Sequence, residues 1–211
     1  MDEATDKTKF VVGLGNPGHK YAADRHNVGF AVLAALERRW KFGRGREAFS
    51  GVLCDARVSR PGESERRVML LAPQTYMNCS GRAVRAMADF YKAAPRDILI
   101  VLDDMALPPG RLRARAEGSA GGHNGLADVL AAMGTTAVPR LRIGIGAPPG
   151  AADRKDFVLS PFAGDEVETM KAAVELAAAA VEDWVFGGIE CVMAKYNRKP
   201  DEKKDDQPQA P

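Results

Sequence analysis

The chain has 211 residues, 45% hydrophobic and 27% charged, a mix that suits one globular domain able to bury roughly 70% of its unfolded surface. The 21 Gly and 13 Pro are too few and too scattered for a disordered or collagen-like chain, and 30 Lys and Arg against 28 Asp and Glu leave a net charge of only +2, which by itself signals no nucleic-acid or membrane partner. Apolar stretches such as residues 176–181 are far short of the ~20 that span a bilayer.

Residues 1–8 and 198–211 lack apolar periodicity and are rich in charge, so both are expected to be disordered tails around a single domain at 9–197. The opening MDEATDKTKF has neither an apolar signal core nor an Arg-rich transit pattern. The three cysteines form no C-x-x-C pair and suit a reducing, cytoplasmic compartment.

Phe10-Val11-Val12 is a short apolar run ended by glycines, as in a buried strand, and residues 28–40 follow with helical spacing behind Asn27 as a plausible N-cap. Strands are expected at 50–58 and 67–72, joined through Pro61-Gly62, then a helix at 80–92 capped by Ser80. ILIVL (98–102) has the continuous apolar character of a strand buried on both faces. RLRARA (111–116) alternates with period two and puts its three arginines on one face, and 141–146 is another strand. Helices at 165–182 and 184–195 close the domain. Strands interleaved with helices, some linked as hairpins, give an α/β fold with a twisted mixed sheet flanked by helices.

Five motifs carry chemistry, and each has a plain structural alternative. Gly13-Leu14-Gly15-Asn16-Pro17-Gly18 fits G-x-G-x-x-G after a strand, but a dinucleotide site needs a helix starting inside the loop and an acidic residue about 20 positions on. Residues 19–25 are polar and irregular, and Glu37 lies inside the first helix, so a glycine-rich turn leaving a strand is favoured over that reading, although such a turn does not explain the polar Asn16 within it. Arg25-His26-Asn27 offers a histidine at a helix mouth, with no second histidine or cysteine at zinc-binding spacing. Residues 73–81 (PQTYMNCSG) sit where a strand gives way to a helix, where ligand sites of α/β sheets gather. Asp103-Asp104 follows the buried strand and could bind magnesium, orient a histidine or start a turn. Gly121-Gly122-His123-Asn124-Gly125 is either a phosphate-cradling loop or a helix start capped by Asn124.

In combination, residues 11–30 (VVGLGNPGHKYAADRHNVGF), 73–84, 102–126 and 140–146 resemble bacterial-type peptidyl-tRNA hydrolases, collinearly from about residue 9 to 195. That resemblance implies hydrolysis of the ester between a peptide and the 3′ end of tRNA, without metal or organic cofactor, by a monomer. It implies His26 as catalytic base with Asp103 as its partner, Asn16, Asn78 and Asn124 as substrate-positioning amides, Tyr21 in the site and Met77 lining the peptide groove. Arg115 and Arg142 correspond to the residues that grip the tRNA 5′-phosphate. Segment 109–146 holds five arginines and only Glu117 and Asp128 as acids, so a near-neutral total conceals a local basic stretch. Leu102, Ala106, Glu117-Gly118-Ser119 and Ala147 depart from the commonest family pattern, none at a catalytic position. The rival reading is a non-hydrolytic RNA-binding relative, which would have no need of both His26 and Asp103.

Overall fold

The computed structural model describes residues 8–148 and 153–198, so the expected tails lie outside the described residues apart from Thr8 and Arg198. Among the described residues, four parallel strands form the centre of a sheet: β1 (Lys9–Gly13), β4 (Arg66–Pro73), β5 (Ile98–Asp104) and β7 (Arg140–Gly144). Three antiparallel additions, β2 (Arg46–Ala48), β3 (Gly51–Val58) and β6 (Leu112–Arg115), complete the order β2-β3-β4-β1-β5-β7-β6. The expected mixed α/β sheet is what forms.

Helices α1 (Val28–Trp40) and α5 (Glu166–Tyr196) cover one face, and α2 (Ser80–Tyr91) and α3 (Asn124–Met133) cover the other. Strand alternation feeds both layers: Phe10, Val12, Ile98, Ile100 and Leu102 pack under α2 and α3, while Val11, Leu99 and Val101 pack under α1 and α5. Burial on both sides is why these strands are continuous apolar runs.

Three local features differ from the sequence reading or were not anticipated by it. The strand β2 has no apolar alternation, and its two-residue turn to β3 is Phe49-Ser50, both at positive φ (52° and 55°) without the usual Gly or Asn signal. The expected division of the C-terminal region into two helices shifts: the helix runs through residue 183, where Asp183 is buried against Arg60 (3.0 Å), Lys195 (2.7 Å) and the Tyr196 hydroxyl (2.7 Å). The backbone departs from helix instead at Gly188, where φ is 78°. A short helix, α4 (Arg154–Val158), is capped by the Asp153 carboxylate, which accepts the Lys155 N–H at 2.8 Å.

At the outer edge the Asn197 side chain imitates a strand, its Oδ1 accepting the Ala114 N–H (2.7 Å) and its Nδ2 donating to the Ala114 carbonyl (3.0 Å). The outward backbone groups of Ala114 on the edge strand are thereby paired. The cysteines are unbonded, and no helix among the described residues is long and apolar enough to cross a membrane.

Candidate active site

Because β1, β4 and β5 run parallel, the segments leaving their C-terminal ends open on the same edge of the sheet. The glycines of the first loop serve close packing there: a Cβ on Gly13 would run into the Gly29 carbonyl, and one on Gly29 into the Leu14 backbone. His19–Tyr21 is a single 3-10 turn, so no helix N-terminus faces the loop as a pyrophosphate site would need.

Asn16 is buried and held from two sides. Its side-chain Oδ1 accepts the Met77 N–H at 2.9 Å. Its backbone N–H donates to Asn27 Oδ1 (2.8 Å), and its carbonyl accepts from Asn27 Nδ2 (3.0 Å). Asn27 therefore makes no side-chain cap for α1, contrary to expectation, and acts as a clamp on the loop. With its oxygen engaged, the Asn16 amide has only its N–H groups to offer a ligand. Ser80 does not cap α2 either: its hydroxyl donates to the Met77 carbonyl at 2.9 Å.

Asp103, 2% exposed at the end of β5, is met by histidines from both layers. From the turn before α1, His26 Nδ1 lies 2.7 Å from Asp103 Oδ1, and from the N-terminus of α3, His123 Nε2 lies 3.0 Å from the same oxygen. The tautomers follow from the partners. His123 Nδ1 accepts the Leu126 N–H at 3.1 Å, capping α3 in place of Asn124, so its proton sits on Nε2 and is donated to Asp103. His26 likewise donates from Nδ1 and keeps a lone pair on Nε2. Burial pushes the Asp103 carboxyl up, but the attraction and hydrogen bond of His123 and the hydrogen bond of His26 outweigh it and hold it below the usual carboxylate range.

These three side chains place one donor atom each within 4.8 Å of one another, a grouping compatible in number with a metal site. The hydrogen bonds argue otherwise, since a protonated Nε2 is no ligand and the opposite tautomer would give up the Leu126 cap. The neighbouring Asp104 starts a turn, accepting the Ala106 N–H at 2.9 Å on Oδ1, and pairs with Arg142 through Oδ2 at 3.2 Å.

A cleft of about 920 Å³ runs past this cluster, lined by Asn16, Tyr21, His26, Met77, Asn78, Asp103, Asn124 and Arg142 among others. Eight of the nine site residues expected from sequence thus share one cleft, and the ninth, Arg115, lies outside it on the exposed face of β6. The arginine-rich segment is less free than its composition implies. Arg142 also donates to the carbonyls of Ala120 (3.1 Å) and Ser119 (3.4 Å), while buried Arg140 holds the carbonyls of Gly118 (2.7 Å) and Thr136 (3.1 Å). Burial and the neighbouring Arg142 charge push Arg140 down to about 10. Arg111 is tied to the Asn197 carbonyl, which leaves Arg113 and Arg115 exposed.

Sequence reasoning passed over two residues that shape the site. His123 was visible only as part of a glycine-rich loop, and Asn27 only as a cap; nothing local marks the partners they find 20 and 11 residues away.

A family model described as peptidyl-tRNA hydrolase matches residues 10–205. The chain is 48% identical over 189 residues to the peptidyl-tRNA hydrolase of Symbiobacterium thermophilum, covering 90% of this chain and 98% of that one. It is 45% identical to that of Rhodopirellula baltica, covering 90% and 97%. The crystal structure of peptidyl-tRNA hydrolase from Acinetobacter baumannii superposes with a TM-score of 0.81 at 34% identity, covering 93% of this chain and 97% of that one. With this match in sequence and fold along nearly its whole described length, the chain belongs to the peptidyl-tRNA hydrolase family.

Proposed function

We propose that the protein hydrolyses the ester bond between a peptide and the 3′ end of tRNA, with His26 as general base. The observation that carries this reading is the 2.7 Å bond from His26 Nδ1 to buried Asp103, which leaves Nε2 as a lone pair in a cleft wide enough for a peptide. Water is a poor nucleophile near neutral pH, and a positioned base typically contributes 10²–10⁴-fold.

In the proposed reaction His26 Nε2 takes a proton from water as its oxygen attacks the ester carbonyl carbon. The carbonyl oxygen becomes an oxyanion, and on collapse the bond to the ribose oxygen breaks. That oxygen leaves with the proton held by His26, and the peptide departs as a carboxylic acid. Asp103 fixes the tautomer and stabilises the imidazolium between the two steps, and His123 keeps the carboxylate ionised and oriented. Asn16, restricted to donating, suits the oxyanion or a peptide carbonyl, with Asn78 beside it; Asn124, its side chain released from capping, suits the attacking water. Met77 and Tyr21 line the peptide's path, and Arg115 and Arg142 attract the tRNA phosphates. No step calls for a metal or cofactor. Unbonded thiols fit a cytoplasmic enzyme, and the family resemblance fits a monomer.

The test is hydrolysis of an N-blocked aminoacyl-tRNA. Wild type is expected to turn over and His26→Ala to lose 10²-fold or more in kcat. An inactive wild type that still binds tRNA would favour the RNA-binding reading, and a fully active His26→Ala would remove the base from His26.

A further inference from the structure

Arg25 precedes His26 in the same 3-10 turn, and it is 6% exposed. Its guanidinium forms a two-pronged ion pair with Glu166, Nη1 to Oε1 at 2.8 Å and Nη2 to Oε2 at 2.6 Å. Its carbon centre lies 4.4 Å from the Phe157 ring and 4.8 Å from the Phe162 ring. Longer contacts reach the Ile145 carbonyl and the Ser160 hydroxyl, both at 3.4 Å. The backbone joins the same partner segment: the Arg25 N–H donates to the Ser160 carbonyl at 3.0 Å, and Asp24 forms an isolated antiparallel bridge with Pro161.

The segment gripped in this way is a wall of the cleft. Asp153, Arg154, Lys155, Val158 and Leu159 all line it, and Glu166 begins α5 immediately afterwards. The carboxylate of Glu166 sits at the positively polarised helix start, where it also accepts the Ala163 N–H at 3.3 Å. Its carboxyl is held below the ordinary range, chiefly by the Arg25 hydrogen bonds.

A buried ion pair is a weak means of gaining stability, because desolvation offsets much of the attraction and apolar side chains of similar volume would serve as well. What a planar fork adds is direction: two parallel hydrogen bonds and two stacked rings leave the guanidinium one orientation. We propose that Arg25 is a positioning residue for the hydrolysis, clamping the 157–166 segment onto the turn that carries His26 so that the base and this wall of the cleft move as one frame. The proposal rests on His26 being the base, since a frame matters only if the residue next in the chain must meet its water within tenths of an ångström. Displacements near 1 Å at such a site cost up to about 10²-fold.

The experiment measures kcat and KM separately on an N-blocked aminoacyl-tRNA for wild type, His26→Ala, Arg25→Lys and Glu166→Gln, with urea unfolding of each. Arg25→Lys keeps the charge and loses the fork; it is expected to lower kcat by tenfold or more with KM changed less than threefold. Glu166→Gln, altered on the solvent side of the pair, is expected to lower kcat about three- to tenfold, and it keeps the proposal testable if Arg25→Lys does not fold. The pH dependence of kcat should keep its shape in both, because the base itself is intact. Lowered unfolding midpoints with wild-type kcat in both variants would overturn the proposal and make the pair merely structural. An active wild type with a dead His26→Ala separates that result from failure of the hydrolase reading, which would take the proposal with it.

Discussion

Replacing Asn27 by alanine isolates the clamp on the first loop. The substitution removes the acceptor of the Asn16 N–H (2.8 Å) and the donor to its carbonyl (3.0 Å), between residues that are 5% and 7% exposed. Each backbone group left unpaired and buried costs about 1–3 kcal/mol, so about 4 kcal/mol is expected for the two. That is a large share of the 5–15 kcal/mol typical of whole-domain stability, yet compatible with a folded protein. With an m-value of about 2 kcal/mol/M the urea midpoint should fall by roughly 2 M at unchanged m. The kinetic effect follows through Asn16, whose side chain also accepts the Met77 N–H at 2.9 Å: a loosened loop misplaces both, and kcat should fall about 10- to 10²-fold. Asn27→Asp is the sharper control, keeping the acceptor but turning a carboxylate oxygen towards the Asn16 carbonyl, and it should be at least as damaging. A harmless Asn27→Asp would refute the amide orientation, and an Asn27→Ala protein with unmoved midpoint and kcat within twofold of wild type would refute the clamp.

Arg115 is exposed, so Arg115→Ala should weaken tRNA binding uniformly across sequences and reduce the salt slope of log K by about one; an unchanged slope would remove it from the phosphate contacts. Arg142→Ala should also weaken binding, with a further rise in KM because it frees Asp104 and the Ser119 and Ala120 carbonyls. Burial raises the Asp183 carboxyl, but hydrogen bonds from Lys195, Tyr196 and Arg60 outweigh it and leave it below its usual value. Its contribution is therefore present above the unfolded pKa near 4 and disappears as pH falls through the folded value. Asp183→Asn should cost about 1–3 kcal/mol at pH 7, with the difference from wild type in thermal melts shrinking below about pH 4. A pH-independent difference would contradict the assignment.

Much of this molecule is legible in one dimension because its elements answer to their own burial. Strands β1, β4 and β5 are packed on both faces and so appear as unbroken apolar runs, and the polar residues directly after them mark where parallel strands end and a site can open. The motif residues at those ends gather in one cleft, except Arg115. What escaped is the choice of partners. Asn27, Ser80 and Asn124 each stand where a capping side chain is expected, and none of them caps: Asn27 turns to the Asn16 backbone, Ser80 bonds to the Met77 carbonyl, and His123 takes the cap of α3. The arginines near residue 140 read as surface charge, yet Arg140 and Arg142 turn their guanidinium groups on loop carbonyls and Asp104.

The sequence alone determined the α/β class, most of the element boundaries and the set of residue types available for chemistry, since periodicity and composition record how much water each stretch sees. The tertiary structure alone decided which of those residues act together. His26 and Asp103 are 77 positions apart, and Arg25 and Glu166 are 141 apart. Hydrogen bonds are short and directional, so their partners are set by which strand ends and helix starts lie side by side, and that adjacency exists only once the chain has folded.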